Sequence, residues 1–276
     1  MIELRKTAND VRIGNVVVGG DNPRALIAGP CAIENRESAN RVAEKLAEAT
    51  QKRGIPFIFK GSFDKANRLS IDSSRGIGID RGLEILAGIR EKIGVPVLTD
   101  IHNITQVSKV AEYVDCLQIP AFLCRQTDLV IAAAKSGKPV NIKKGQFLAP
   151  EDMAFIADKA EKSNAAGILL TERGTSFGYN NLVVDFRSVP IMAETGYPIV
   201  MDVSHCQQKP GSESGFTGGS REFIPHIAIA TLALGVDAIY IEVHPDPENA
   251  ISDRKTQWPL VEIEEFLSFI EGYWGR

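Results

Sequence analysis

The chain has 276 residues, 44% of them hydrophobic, with 31 basic and 35 acidic side chains for a formal net charge of −4. That balance excludes a collagen-like or disordered chain, and with no Lys/Arg block longer than a pair it argues against nucleic acid or a membrane surface as partner. No apolar run approaches the ~20 residues of a membrane helix. The N-terminal MIELRKTANDVRIGN has no signal-like apolar core, and Cys31, Cys116, Cys124 and Cys206 show no disulfide or CxxC spacing, so a reduced, cytoplasmic protein is expected.

In chain order, Val11–Ile13 and Val16–Val18 flank Gly14-Asn15 and predict a β-hairpin. Residues 1–24 are read as an N-terminal extension whose hairpin closes the bottom of a larger domain, and 25–276 as that single catalytic domain. From residue 25 onward one unit recurs. Short apolar runs at Ala25–Ala28, Phe57–Phe59, Pro96–Leu98, Cys116–Ile119, Val140–Ile142, Gly167–Leu170, Ile199–Met201 and Ala238–Ile241 predict strands. Amphipathic stretches at Ser38–Arg53, Asp80–Ile93, Asp128–Lys135, Pro150–Lys162 and Arg221–Leu234 predict helices between them. Gly54, Gly94 and Gly137 each follow a predicted helix, where a left-handed C-cap is needed.

Continuously apolar strands are buried on both faces, as in a parallel sheet. Eight of them, most followed by a helix, predict a (β/α)8 TIM barrel rather than an open doubly wound sheet, whose dinucleotide-binding turn has only Gly19-Gly20 as its nearest candidate, with no third glycine at the right spacing.

In such a barrel the chemistry lies at the C-terminal strand ends. Polar residues gather there: Gly29-Pro30-Cys31, Lys60 through Arg68, Asp100-Ile101-His102, Gln118, Lys143-Lys144, Glu172-Arg173, Asp202 with His205, and Glu242 with His244. The longest loops, Val203–Ser220 and Val243–Trp258, exceed the ~12–15 residues above which loops are usually functional or disordered.

Two groups separate by chemistry. Lys60, Lys65, Arg68, Lys143 and Arg173 would converge on one cavity and repel one another unless anions occupy it, which points to an anionic, phosphorylated substrate. Cys31, His205, Glu242 and Asp253 are plausible ligands for zinc, iron(II) or manganese(II), their strands being neighbours once a barrel closes. Spacing alone does not separate that set from a buried free cysteine beside a loop histidine. His102 is a further catalytic candidate or an orienter of Asp100. His226 reads as structural, and His244 as a loop residue.

The strings Gly29-Pro30-Cys31, Lys60-Gly61-Ser62-Phe63-Asp64-Lys65-Ala66-Asn67-Arg68, Gln118-Ile119-Pro120-Ala121-Phe122, Arg125-Gln126-Thr127-Asp128, Asn141 through Gln146, Glu172-Arg173-Gly174 and Asp202-Val203-Ser204-His205 together resemble the 3-deoxy-D-manno-octulosonate 8-phosphate (Kdo-8-phosphate) synthases, from about residue 11 onward. Leu69 and Cys124 depart from the family pattern, which has a small polar residue and alanine there.

The resemblance implies condensation of phosphoenolpyruvate with arabinose 5-phosphate, in a cytoplasmic homotetramer that serves lipopolysaccharide synthesis. It implies that Lys60, Lys65, Gln118, Ala121, Lys143 and Arg173 hold phosphoenolpyruvate. Asn67, Arg68 and Asp100 would hold the pentose phosphate, with Arg125 reaching in from a neighbouring subunit. Lys60, Lys65, Asp100, Lys143 and His205 are the catalytic candidates. Through Cys31 the chain resembles the family's metal-using branch, which implies His205, Glu242 and Asp253 as further ligands. The rivals are a 3-deoxy-D-arabino-heptulosonate 7-phosphate (DAHP) synthase acting on erythrose 4-phosphate, a Schiff-base aldolase using Lys143 or Lys60, and a non-catalytic sugar-phosphate-binding barrel.

Overall fold

Successive residues of a strand point to opposite faces, so a strand covered on both sides is apolar throughout. The computed structural model, which describes residues 7–213 and 216–275, contains eight such strands closed on themselves. A hairpin of β1 (Asp10–Ile13) and β2 (Val16–Gly19) leads into β3 (Ala25–Gly29), α1 (Arg36–Gln51), β4 (Phe57–Lys60), α2 (Ile79–Ile93), β5 (Val97–Asp100), α3 (Ile104–Tyr113), β6 (Cys116–Ile119) and α4 (Thr127–Ala134). Next come β7 (Val140–Lys143), α5 (Met153–Lys162), β8 (Ile168–Glu172), the short β9 (Thr175–Ser176) and β10 (Leu182–Val183), and α6 (Ser188–Ala193). The chain then runs through β11 (Ile199–Asp202), β12 (Gln208–Glu213), β13 (Phe216–Gly219), α7 (Ile224–Ala233), β14 (Ala238–His244), β15 (Trp258–Pro259) and α8 (Ile263–Trp274). Strands β3 to β8, β11 and β14 pair in parallel, and β14 bonds both β11 and β3. That closure makes a (β/α)8 barrel. No helix among the described residues is long and apolar enough to cross a membrane.

The two faces of these strands have different partners. Leu26, Ala28, Phe57, Phe59, Val97, Leu117, Ile119, Ile142, Leu170 and Met201 point outward into the layer shared with the helices. Ala25, Ile27, Ile58, Leu98, Cys116, Leu169, Val200, Ala238 and Tyr240 point inward, and Val11, Ile13, Val16 and Val18 of the hairpin pack against them from below. The bottom of the barrel is thus sealed by apolar contact. Two residues further along six of the strands the inward positions turn polar: Ile58 gives way to Lys60, Leu98 to Asp100, Cys116 to Gln118, Leu169 to Thr171, Val200 to Asp202 and Tyr240 to Glu242.

Seven of the eight barrel strands therefore extend one to three residues past the predicted apolar runs, β6 ending where predicted, and the polar "loop" residues Lys60, Asp100, Lys143, Glu172 and Asp202 are the last members of theirs. The region predicted as an irregular loop over Val203–Ser220 holds a turn at His205–Gln207 and the β12–β13 hairpin. It packs closely on the segment after β14, since a Cβ on Gly219 would lie 2.3 Å from Thr256 Cγ2. Residues 214–215 of that region and 1–6 of the predicted extension lie outside the described residues.

Candidate active site

The C-terminal strand ends open into a cavity of about 810 Å³ lined by Lys60, Lys65, Asn67, Arg68, Asp100, His102, Gln118, Ala121, Lys143, Arg173, His205, Gln208, Ser252 and Asp253. Beneath it a buried polar belt runs around the barrel. Thr171 Oγ1 donates to Asn141 Oδ1 at 2.6 Å, and Asn141 Nδ2 to Gln118 Oε1 at 2.9 Å. Gln118 Nε2 and Ser62 Oγ each donate to a different oxygen of Asp100. Lys60 Nζ carries the belt on to β14, 2.7 Å from Ser62 Oγ and 3.4 Å from both Asp100 Oδ2 and Glu242 Oε1. Each residue's rotamer is fixed by its neighbour, so this floor of the cavity is preorganised.

The expectation that the basic residues repel one another unless anions are bound needs correction. The buried ones are interleaved with carboxylates: Lys60 lies between Asp100 and Glu242, and Lys143 Nζ is 2.5 Å from Asp202 Oδ2 and 3.7 Å from the centre of the Tyr240 ring. Burial still lowers the Lys143 pKa despite Asp202, whereas the surrounding acids raise that of Lys65 against its own burial. Burial favours a neutral Asp100, but Lys60 and Lys65 outweigh it and hold the carboxyl well below its ordinary value. Arg173, buried and lowered by burial, has one terminal nitrogen, Nη1, with no partner. That fork of positive charge on the cavity wall suits an anion.

The neighbouring Lys144 and Glu172 face away from the axis, as alternation requires. Lys144 Nζ lies 3.6 Å from Glu172 Oε2, and Glu172 Oε1 accepts from the backbone N–H of Arg173 (2.9 Å) and Gly174 (2.6 Å), which braces the arginine from behind. Arg68 reaches across to the segment after β14, donating to Ser252 Oγ at 3.0 Å and Ile251 O at 2.9 Å. Arg125 is exposed and does not line the cavity.

On the opposite wall the predicted ligand atoms of Cys31, His205, Glu242 and Asp253 lie within 4.8 Å of one another. Cys31 Sγ is 3.0 Å from Asp253 Oδ2, and His205 Nε2 is 3.5 Å from Glu242 Oε1 and 3.8 Å from Asp253 Oδ2. Edges of about 3.3–3.7 Å are those of a tetrahedron around an ion with metal–ligand bonds of about 2.0–2.3 Å. The donors therefore fit a divalent metal. Glu242 Oε2 is buried without a hydrogen-bond partner.

Local sequence explains the convergence. Gly29 lets β3 pass β4 at a distance no side chain allows, since a Cβ there would be 1.9 Å from Lys60 O, and this brings Cys31 to the rim. Asp253 adopts a left-handed backbone (φ 47°), a conformation aspartate tolerates better than most residues. Burial, then Asp253 and Glu242, push the Cys31 thiol well above its ordinary pKa.

Sequence reading missed Gln208, whose amide joins Arg173 to Asp253, and Gln257, whose Oε1 accepts from Cys31 N at 2.9 Å. Neither falls in a periodic pattern; only the position of Gln208 three residues after His205 hinted at it. His102 lines the cavity edge-on to Phe63, its pKa lowered by burial. His244 is no plain loop residue: it ends β14 buried, with Nε2 3.3 Å from Glu34. Cys116 lies in the apolar barrel floor, as expected of a structural thiol, and His226 lies on α7.

A sequence model of the DAHP synthetase I family matches residues 2–273. The 2-dehydro-3-deoxyphosphooctonate aldolase of Granulibacter bethesdensis is 55% identical over 260 residues, covering 94% of this chain and 92% of the relative. That of Geotalea uraniireducens is 54% identical over 258 residues, covering 94% and 95%. The protein of the same name from Francisella tularensis subsp. holarctica is 51% identical over 261 residues, covering 95% of each.

Proposed function

The chain belongs to the DAHP synthetase I family, and from that membership we propose that it condenses phosphoenolpyruvate with D-arabinose 5-phosphate and water, giving 3-deoxy-D-manno-octulosonate 8-phosphate and inorganic phosphate on the route to the lipopolysaccharide sugar Kdo. The observation that carries this reading is the relatives' similarity at 51–55% identity over nearly the whole chain. Their name, an octonate, fixes the acceptor: phosphoenolpyruvate brings three carbons, so the aldose brings five. Erythrose 4-phosphate would give a seven-carbon acid.

In the reaction, C3 of phosphoenolpyruvate attacks the aldehyde carbon, water adds at C2, and phosphate departs with cleavage of the C2–O bond. Lys60, Lys65, Gln118, Lys143 and Arg173, with the backbone at Ala121, hold the enol phosphate. The partnerless Arg173 Nη1 supports this, as does the placement of all six residues around one cavity. Asn67, Arg68 and Asp100 hold the aldose phosphate, with the exposed Arg125 serving a neighbouring subunit of a homotetramer in the cytoplasm. Two anions held in register lower the barrier by proximity, and fixed cations meet the charge that develops on oxygen.

Cys31, His205, Glu242 and Asp253 hold a divalent ion, zinc, iron(II) or manganese(II), which when bound supplies Lewis acidity and a template for the aldehyde or a water. Lys143, paired with Asp202, lines the cavity as a proton carrier, and Asp202 holds His205 by Nδ1 with Nε2 toward the ion.

The test is phosphate release from phosphoenolpyruvate with each aldose phosphate, with and without EDTA. Release with arabinose 5-phosphate that EDTA abolishes and divalent metal restores supports the reading. Preference for erythrose 4-phosphate, or binding of phosphoenolpyruvate without release, overturns it.

A further inference from the structure

Gln208 stands between the two halves of the site. It is the first residue of β12, so the same turn that delivers His205 to the metal cluster delivers the Gln208 amide beside it. Arg173 Nη2 donates to Gln208 Oε1 at 2.5 Å, and Gln208 Nε2 donates to Asp253 Oδ1 at 2.9 Å. The direction of this bridge is dictated by its ends. A guanidinium can only donate and a carboxylate can only accept, so the amide cannot turn over without placing N–H against N–H and oxygen against oxygen.

The bridge holds one oxygen of Asp253 and leaves the other, Oδ2, facing Cys31 Sγ at 3.0 Å and His205 Nε2 at 3.8 Å. Without it Asp253, a residue on a left-handed backbone turn, keeps only the contacts of Oδ2 with Cys31, Ser252 and His205. The other end of the bridge is an arginine of the cavity wall whose remaining terminal nitrogen, Nη1, is buried without a partner.

We propose that Gln208 is a positioning residue that aims Asp253 at the metal and couples metal binding to the anion held by Arg173. This rests on the assignment of Cys31, His205, Glu242 and Asp253 to a metal and of Arg173 to an anion. An anion in the cavity that engages the Arg173 guanidinium fixes it, and through Gln208 it fixes the ligand. Phosphoenolpyruvate therefore tightens metal binding, and by thermodynamic reciprocity the metal tightens phosphoenolpyruvate by the same factor.

The test is Co²⁺ binding to the metal-free full chain, by competition with a chromophoric chelator, with and without phosphoenolpyruvate. Wild type is compared with Gln208→Ala and with Gln208→Met, which keeps the volume and removes both hydrogen bonds. Wild type is expected to bind cobalt with a thiolate charge-transfer band from Cys31 and to bind it more tightly with phosphoenolpyruvate. Both variants are expected to keep that band and the metal-free melting temperature. They should lose cobalt affinity by ~10–100-fold, the usual cost of removing a group that orients a metal ligand, and most of the response to phosphoenolpyruvate. Should Gln208→Ala fail to fold, Gln208→Met is read alone. Wild-type affinity or a wild-type response in the variants overturns the proposal. Absence of a thiolate–cobalt band in wild type overturns the metal reading itself, and the proposal with it.

Discussion

Asp202 Oδ2 lies 2.7 Å from Nδ1 of His205, three residues further along, and the contact leaves the other ring nitrogen, Nε2, facing Glu242 and Asp253. A carboxylate behind a histidine fixes its tautomer and strengthens it as a ligand. Asp202 also pairs with Lys143 at 2.5 Å, so one side chain braces both the Cys31–His205–Glu242–Asp253 cluster and the basic wall of the cavity.

Asp202→Asn is therefore expected to weaken metal affinity by ~10–100-fold and to lower turnover even at saturating metal, because Lys143 loses its counter-charge. Chelator competition followed by turnover at excess metal checks both. Unchanged affinity would mean that the histidine is oriented by something else.

Lys60 is buried with its ammonium 3.4 Å from both Asp100 and Glu242. Removing one partner of a buried ionic cluster leaves uncompensated charge and costs about 3–5 kcal/mol. Lys60→Met should show that loss in urea unfolding of the metal-free protein, together with loss of activity. An unchanged midpoint would show that the acids are relieved by protonation or water.

Arg173 presents a planar fork, with Nη2 bound to Gln208 and Nη1 buried without a partner. Lysine keeps the charge but not the fork. Arg173→Lys should raise the KM for phosphoenolpyruvate by ~10–150-fold, the equivalent of about 1.5–3 kcal/mol for a charged hydrogen bond, and leave the KM for the aldose phosphate little changed.

Away from the site, Asp237 joins the barrel bottom: its oxygens accept from Ile199 N at 2.7 Å and Thr7 Oγ1 at 3.0 Å. Burial raises its pKa, and the two hydrogen bonds and Arg24 do not fully offset this. The native state then binds this proton more tightly than the unfolded chain does. Its contribution to stability is fully present below the ordinary aspartate value and is lost as pH rises through the raised native value. Asp237→Asn should flatten that part of the urea-stability profile, the fall that begins above the ordinary aspartate value of about 4. A slope identical to wild type would contradict the assignment.

The barrel was legible because each strand is enclosed on both faces, which leaves an uninterrupted apolar run in the sequence. The strand ends were read short for the same reason. Lys60, Asp100, Lys143 and Asp202 continue their strands but face the barrel axis, where polarity changes from floor to rim. Two helices left weak traces: α3, rich in threonine, serine and valine, and α6, only six residues long with Pro190 inside it. The rim residues could be grouped by chemistry once a barrel was assumed. The metal set could not be told from a free cysteine by spacing, because Cys31 and Asp253 are 222 positions apart and meet only through closure of β14 on β3. Gln208 and Gln257 carry no charge and follow no period, so only the folded chain shows what they bridge.

The most direct test is diffraction from crystals soaked with zinc and phosphoenolpyruvate, recorded at the zinc absorption edge. The account predicts one anomalous peak at about 2.0–2.3 Å from Cys31 Sγ, His205 Nε2, Glu242 and Asp253, with phosphoenolpyruvate density against Lys60, Lys143 and Arg173 in the same cavity. A peak elsewhere, or phosphoenolpyruvate bound away from those three cations, would contradict it.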